Sequence, residues 1–186
     1  EPSNHQAGKA YFTSLRYQLG DWTPYIYKTE NYGQDWELIT KGIPSDYPVR
    51  VVREDPDRAG LLYAGTEYGL FISFDDGTNW HAFQNNLPVT PISDLKVHQK
   101  DLVVSTMGRS FWILDDLSVL HESMDKIAAA DIQLFQPRDE YRLRYRGTNK
   151  NSIPYYPSNA VNIKYYLQAA TKNAISLEIL NTNGDV

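Results

Sequence analysis

The segment Thr29-Glu-Asn-Tyr-Gly33-Gln-Asp-Trp36 returns as Ser73-Phe-Asp-Asp-Gly77-Thr-Asn-Trp80, with the hydroxyl, the glycine and the tryptophan each displaced by 44 positions. The register continues downstream, where Gly42-Ile43-Pro44 stands over Asn86-Leu87-Pro88 at the same spacing. A third copy aligns at a spacing of 40, with residues 66–76 on 106–116 and Phe71 on Phe111. That copy then decays: Leu117 stands where Gly77 would fall, and Leu120 replaces the tryptophan. Terminal units of a repeat array commonly lose features in this way. A unit of this size cannot bury its apolar face alone, so the copies must stack on one another.

A period of roughly 40 to 45 residues holding four short strands is that of a β-propeller blade. The middle copy predicts strands over 49–54, 61–66, 70–74 and 80–84, each bounded by Asp-Pro, Gly or Asn turn residues. The first copy predicts strands over 10–17, 25–29 and 36–40, and lacks an innermost strand unless residues 1–8 supply a remnant. The third predicts 92–98, 102–106 and 111–114. The expected fold class is therefore all-β: a partial propeller of two to three four-stranded blades.

Beyond Asp116 the pattern changes. Residues 118–130 start on Ser and end in an Ala run, which reads as a short helix, and 131–136 reads as a strand closing the outer edge of the last blade. The blades thus extend over 1–136, followed by an Arg-, Tyr-, Asn- and Pro-rich linker over 137–159. Residues 160–186 alternate over 161–167 and 175–180, resembling the opening hairpin of an immunoglobulin- or fibronectin-like sandwich. A blade short of one strand and a lone hairpin together give the expectation of a chain truncated at both ends.

Ser73-x-Asp75-x-Gly77-x-x-Trp80 has the form of the Asp box, and Thr29, Asn31, Gly33 and Trp36 are the corresponding residues of the first copy. The chemistry of these residues is structural. A short carboxylate or amide accepts backbone amides of the turn it starts, Gly takes a positive φ, and Trp packs beneath the hairpin. The chain resembles Asp-box (BNR-type) propellers, a group that includes sialidases, xyloglucan-cleaving glycoside hydrolases and sortilin-type receptors. It looks most like bacterial sortilin-like proteins often labelled glycosyl hydrolases, through Val52-Arg-Glu-Asp-Pro56, Gly60-Leu-Leu-Tyr-Ala-Gly65-Thr66 and Gly108-Arg-Ser-Phe-Trp-Ile-Leu-Asp-Asp116. The resemblance implies a secreted, extracellular or periplasmic protein. The Arg-Ile-Pro segment typical of sialidases is absent from these residues, which counts against that branch.

In a four-stranded meander, the second-to-third loops and the blade-to-blade connections share one end. That rim carries Asp21 and Trp22, Asp46, Glu67 and Tyr68, and Arg109. Asp21 and Trp22 lie in an insertion, since Tyr11 to Thr29 spans 18 positions where Tyr63 to Ser73 spans 10. An indole beside a carboxylate suits sugar binding, with CH faces stacking on the ring and hydroxyls bonding the acid; Trp22 folded back as a lid is the plainer reading. Arg109 occupies the place of Gly69 and either grips an anionic group or pairs with Asp115, Asp116 or Glu67. The rim points to a carbohydrate or peptide ligand. The alternative is a glycoside hydrolase whose acids are shared with blades outside these residues, and a third reading is a structural module with no small ligand. The remaining blades of a parent protein are expected partners.

A net charge of −5 without a basic stripe argues against nucleic acid. No apolar run approaches the roughly 20 residues of a membrane span. With no cysteine, disulfides, thiol nucleophiles and Cys-ligated zinc are excluded. His5, His81, His98 and His121 stand isolated, and the acidic turn over 54–57 reads as a polar loop, so no metal and no cofactor are expected.

Overall fold

The three sequence copies become three antiparallel meanders. In the first sheet, β1 (Ala10–Thr13), β2 (Ile26–Thr29) and β3 (Glu37–Leu38) pair in order. The second is complete, with β4 (Val49–Glu54), β5 (Leu62–Thr66), β6 (Leu70–Ser73) and β7 (His81–Ala82). The third holds β8 (Ile92–His98), β9 (Asp101–Thr106) and β10 (Phe111–Leu114). The computed structural model describes residues 1–140, 160–172 and 174–185. The chain divides into two compact units, Glu1–Leu117 and Ser118–Val186.

The meanders stack as blades do. β4 lies against β1, and β8 lies against both β4 and β5, so the first strand of each later blade packs on the blade before it. Both central strands of the middle blade are buried along their whole length, because sheets cover both of their faces. Between the first two sheets, Tyr11, Ile26, Ile39, Val49, Val52, Leu62, Ala64, Phe71 and Trp80 form one apolar cluster. The unit is a partial β-propeller. In place of an innermost strand, residues 1–3 lie along β1. Pro2 bridges to Ala10, the Ser3 amide donates to the Lys9 carbonyl at 3.0 Å, and the Tyr11 amide donates to the Glu1 carbonyl at 2.8 Å.

Both Asp boxes close by the same bonds. The hydroxyl oxygen of Ser73 accepts the amides of Asp75 (3.4 Å) and Gly77 (2.9 Å), as that of Thr29 accepts those of Asn31 (3.4 Å) and Gly33 (3.0 Å). Four residues on, the partners are exchanged. Asp75 accepts the amide and side chain of Asn79, both at 2.8 Å, whereas Asn31 accepts the Asp35 amide at 3.0 Å and donates to its carboxylate at 2.8 Å. Each turn thus holds one carboxylate and one amide in opposite order, so Asn31 forfeits nothing as a turn former. The tryptophans differ from expectation. Trp80 packs across onto the preceding sheet, donating from Nε1 to the Ile39 carbonyl at 2.8 Å. Trp36 donates to its own Gly33 carbonyl at 3.1 Å.

Gly77 has φ 83°, and a Cβ there would collide with Ile39 Cδ1. Gly20 has a similar φ of 78° with open space around it. Gly77→Ala is therefore expected to cost about 2–3 kcal/mol and Gly20→Ala about 1 kcal/mol, read by urea unfolding.

The third sheet corrects the repeat alignment by one residue. Ala64 pairs with Phe71, but Val104 pairs with Trp112, so Trp112 and not Phe111 is the counterpart of Phe71. The β9–β10 turn has gained a residue, and Ser110 takes its positive φ of 62°.

In the second unit, the expected single helix is two short ones, α1 (Ser118–His121) and α2 (Met124–Ala129), because Ser123 is extended at φ −65°, ψ 126°. The strand expected to close the third sheet forms as β11 (Ile132–Leu134) and pairs instead with β12 (Tyr165–Leu167). β12 is the first strand of the expected sandwich hairpin. Residues 175–180 take no strand conformation and are exposed. The expected linker falls mostly outside the described residues.

Candidate functional site

The rim loops meet through backbone bonds that repeat from blade to blade. The Glu67 amide donates to the Pro48 carbonyl at 3.0 Å, and the Met107 amide to that of Pro91 at 2.9 Å, so each strand turn is tied to the connection entering its blade.

Arg50 is the centre of this rim, and sequence reasoning missed it. The β4–β5 register slips between Val49 and Val51, leaving Arg50 as the extra residue of a β-bulge, a device that re-aims a side chain. The same slip occurs in β8 between Ile92 and Asp94, at Ser93. The Arg50 Nε lies 2.6 Å from Glu67 Oε1, with both side chains mostly shielded, and its guanidinium sits 5.7 Å from the Tyr17 ring. Tyr17 in turn lies 5.8 Å from Trp22. On the other side of Glu67, Tyr68 packs on Tyr47 at 4.6 Å. Trp22 is 45% exposed, with the rest of the ring turned toward Tyr17.

The inserted loop over residues 14–25 is held by Asp21. Its carboxylate accepts the Thr23 amide at 3.1 Å and the Tyr25 hydroxyl at 2.9 Å, and it faces Arg16 at 3.3 Å. The bonds from Thr23, then the Tyr25 hydroxyl and the Arg16 charge, hold Asp21 below the ordinary carboxylate range. It is an ionised turn-former.

Bulge residues Arg50 and Ser93, with Thr13, Arg53 and Asp94, line a polar cleft of about 430 Å³. Arg53 is fully engaged, donating to Asp94 (2.6 Å), the Leu95 carbonyl (3.0 Å) and the Val52 carbonyl (2.9 Å). Ser93 and Ser105 share a hydroxyl bond of 2.8 Å. The cleft is rich in donors and acceptors, and its charges are already paired.

Of the rim residues named from sequence, Trp22 and Glu67 are joined through Tyr17 and Arg50, Tyr68 packs on Tyr47, and Asp21 is held within its own loop by Thr23, Tyr25 and Arg16. Asp46 is exposed beside Tyr47. Arg109 stays apart, correcting the expected ion pair. Its backbone bonds Thr106 and Trp112, and among the described residues its guanidinium makes no ion pair. Glu67, one of its expected partners, is held by Arg50. In the acidic turn, Asp55 Oδ1 accepts the Asp57 (2.9 Å) and Arg58 (3.1 Å) amides and Oδ2 takes the Tyr63 hydroxyl at 3.0 Å, so this carboxylate organises the turn itself.

No family model matches the chain, and no curated protein matches it. Solved structures give partial likenesses. An ancestral GH74 enzyme matches with a TM-score of 0.47 and 20% identity, over 57% of this chain and 13% of that one. The GH74 xyloglucanase from Xanthomonas campestris matches with a TM-score of 0.46 and 12% identity, over 59% and 19%. YCF48 bound to D1 peptide matches with a TM-score of 0.41 and 14% identity, over 62% and 44%. The chain thus spans less than a fifth of either GH74 enzyme's length. At these scores the propeller assignment rests on strand order and blade stacking alone.

The bulge at Arg50 has no residue signature, which is why the sequence hid it. Tyr17 was visible inside the insertion, but nothing in the one-dimensional pattern tied it to a strand residue 33 positions away.

Proposed function

We propose that the rim is a non-catalytic recognition site for an uncharged glycan. One observation carries this reading: the rim combines half-exposed aromatic rings with acids already paired to arginines. Trp22, Tyr17, Tyr47 and Tyr68 offer stacking faces, while Asp21 is bound to Arg16 and Glu67 to Arg50. Neutral sugar rings match such a surface, since their CH faces stack on aromatics and their hydroxyls exchange bonds with paired polar groups.

Glycoside hydrolysis needs a carboxyl kept protonated at working pH beside a second, ionised one. Asp21 is shifted the opposite way, Glu67 is occupied by its ion pair with Arg50, and Asp46, the third rim acid, stands exposed. Binding therefore accounts for the rim better than catalysis. A secreted or periplasmic location accords with it, because polymeric glycans are met there.

The test is calorimetric titration of neutral oligosaccharides, with Trp22→Ala alongside. The variant is expected to lose about tenfold in affinity, the scale of one aromatic stacking contact. Equal affinity in the variant would sink the reading, as would sugar hydrolysis abolished by Glu67→Gln. Affinity for extended peptides alone would move the ligand class to peptide.

A further inference from the structure

The two interfaces between neighbouring blades differ by one aromatic side chain. At the first, Trp80 shares a buried cluster with Ile26, Ile39 and Ile43 of the blade before it and Leu62, Ala64 and Phe71 of its own. Each of those six has a counterpart at the second interface. A displacement of 44 gives Leu70, Phe83 and Leu87, one of 40 gives Leu102 and Val104, and strand pairing gives Trp112. Trp80 alone has none: residues 118–121, where the repeat would put it, form α1 and hold no tryptophan. All six counterparts line one open recess. It holds about 50 Å³ of water-accessible space, several times the roughly 10–15 Å³ that admits one water. Burial follows the loss of the ring. Ile39, Ile43 and Phe71 are 4%, 8% and 6% exposed, whereas Phe83, Leu87 and Trp112 are only half-buried.

One acceptor loses its donor as well. The Ile39 carbonyl takes the Trp80 indole proton at 2.8 Å. Its counterpart Phe83 keeps the same register, donating its amide to the Leu70 carbonyl at 2.8 Å as Ile39 donates to Ile26 at 2.9 Å. The Phe83 carbonyl accepts no bond among the described residues. Gln84 beside it is fully used, accepting the Leu70 amide and donating to the Leu87 and Pro88 carbonyls.

The path of the backbone is not repeated. At the first interface the Trp80 amide donates to the Lys41 carbonyl at 2.8 Å, and Gly42 lies so close that a Cβ would collide with the Trp80 carbonyl. Asn86 stands in the place of Gly42, and the left-handed residue is Asn85 at φ 44°. A strand entering as Trp80 does is shut out, while the space for its ring stays open.

We propose that this recess binds a small planar aromatic molecule carrying an N–H donor, of the indole class. The proposal is independent of the glycan reading, since none of these residues belongs to the rim. Apolar walls with a single directed acceptor are the usual make-up of a small-ligand site. Covering the open flanks of Phe83, Leu87 and Trp112 drives binding, and the Phe83 carbonyl sets the ring's orientation.

The test is an amide-detected NMR titration of the 186-residue chain with indole. Saturable shifts are expected around Phe83, Leu87, Val104 and Trp112. Val104→Phe, which fills the recess, is expected to weaken binding about tenfold or more. Should that variant fail to fold, Leu87→Trp at its half-buried position is judged by the same loss. Benzofuran, of the same shape without the N–H, is expected to bind about threefold or more weakly, the scale of one net hydrogen bond. N-acetyltryptophanamide, the same ring on a peptide backbone, is expected to bind more weakly than indole because Asn86 obstructs that backbone. Absence of saturation up to the solubility limit, or shifts centred on Tyr17 and Trp22, overturns the proposal. Equal binding of benzofuran overturns the role of the Phe83 carbonyl, and tighter binding of N-acetyltryptophanamide overturns the small molecule in favour of a peptide segment.

Discussion

Trp80→Ala is expected to lower the stability of the blade unit by about 3–5 kcal/mol, the range for deleting a large buried aromatic, and the lost bond to the Ile39 carbonyl adds to that cost. Trp80 is 3% exposed and packs against Ile39, with Gly42 passing beside its backbone. Trp36→Ala, at the matching position, is expected to cost about 1 kcal/mol, since that ring is half in solvent and bonds only its own turn. Urea unfolding of the two variants side by side is the measurement. Equal losses would mean that Trp80 does not join the two sheets.

Asp76→Ala is the second large effect. Asp76 stands in the middle blade's turn at φ 61°, and its carboxylate gathers Lys9 at 2.6 Å and Lys28 at 3.3 Å from the first blade. The Tyr11 hydroxyl donates to Asp76 at 2.5 Å and approaches Glu54 at 3.3 Å. Removing the carboxylate leaves two lysines with shielded side chains to their weaker, exposed partners, Lys9 to Glu30 at 3.6 Å and Lys28 to Glu37 at 3.5 Å. Breaking a buried ion pair costs about 3–5 kcal/mol; with the Asp76 side chain 24% exposed, about 2–4 kcal/mol is expected here. Partial burial by itself would raise the Asp76 pKa, but the bonds from Lys9 and Tyr11 and the charge of Lys28 outweigh it and hold the group below its ordinary value. A carboxylate depressed in the fold stabilises it at every pH above its unfolded value of about 3.9, and that contribution fades as pH falls through the lower folded value. The acid limb of the stability curve is accordingly expected to flatten in Asp76→Asn. An unchanged acid limb would remove Asp76 from the joint between blades.

Much of the fold was legible in one dimension because a repeat carries its own alignment. Strands β4, β8 and β10 fall where alternation and turn residues put them, and the Asp-box residues close the hairpins their chemistry required. The errors arose where the pattern was too short to hold register. One extra residue in the β9–β10 turn shifted Trp112 into the place assigned to Phe111. β11 found β12, because a three-residue strand specifies its own conformation far better than its partner.

The rim divides in the same way. The insertion, with Asp21 and Trp22, was visible as excess length between two aligned positions. Arg50 was not, because a β-bulge is a mismatch between two strands and exists only once they pair. The sequence by itself determined the repeat and the turns, since these depend on residues close together along the chain, and left the blade count at two to three, which pairing set at three sheets. Tertiary structure alone decided which tryptophan is buried and which acid meets which arginine. Those outcomes depend on the neighbouring sheet, and Trp36 and Trp80, alike in sequence, differ only in having one.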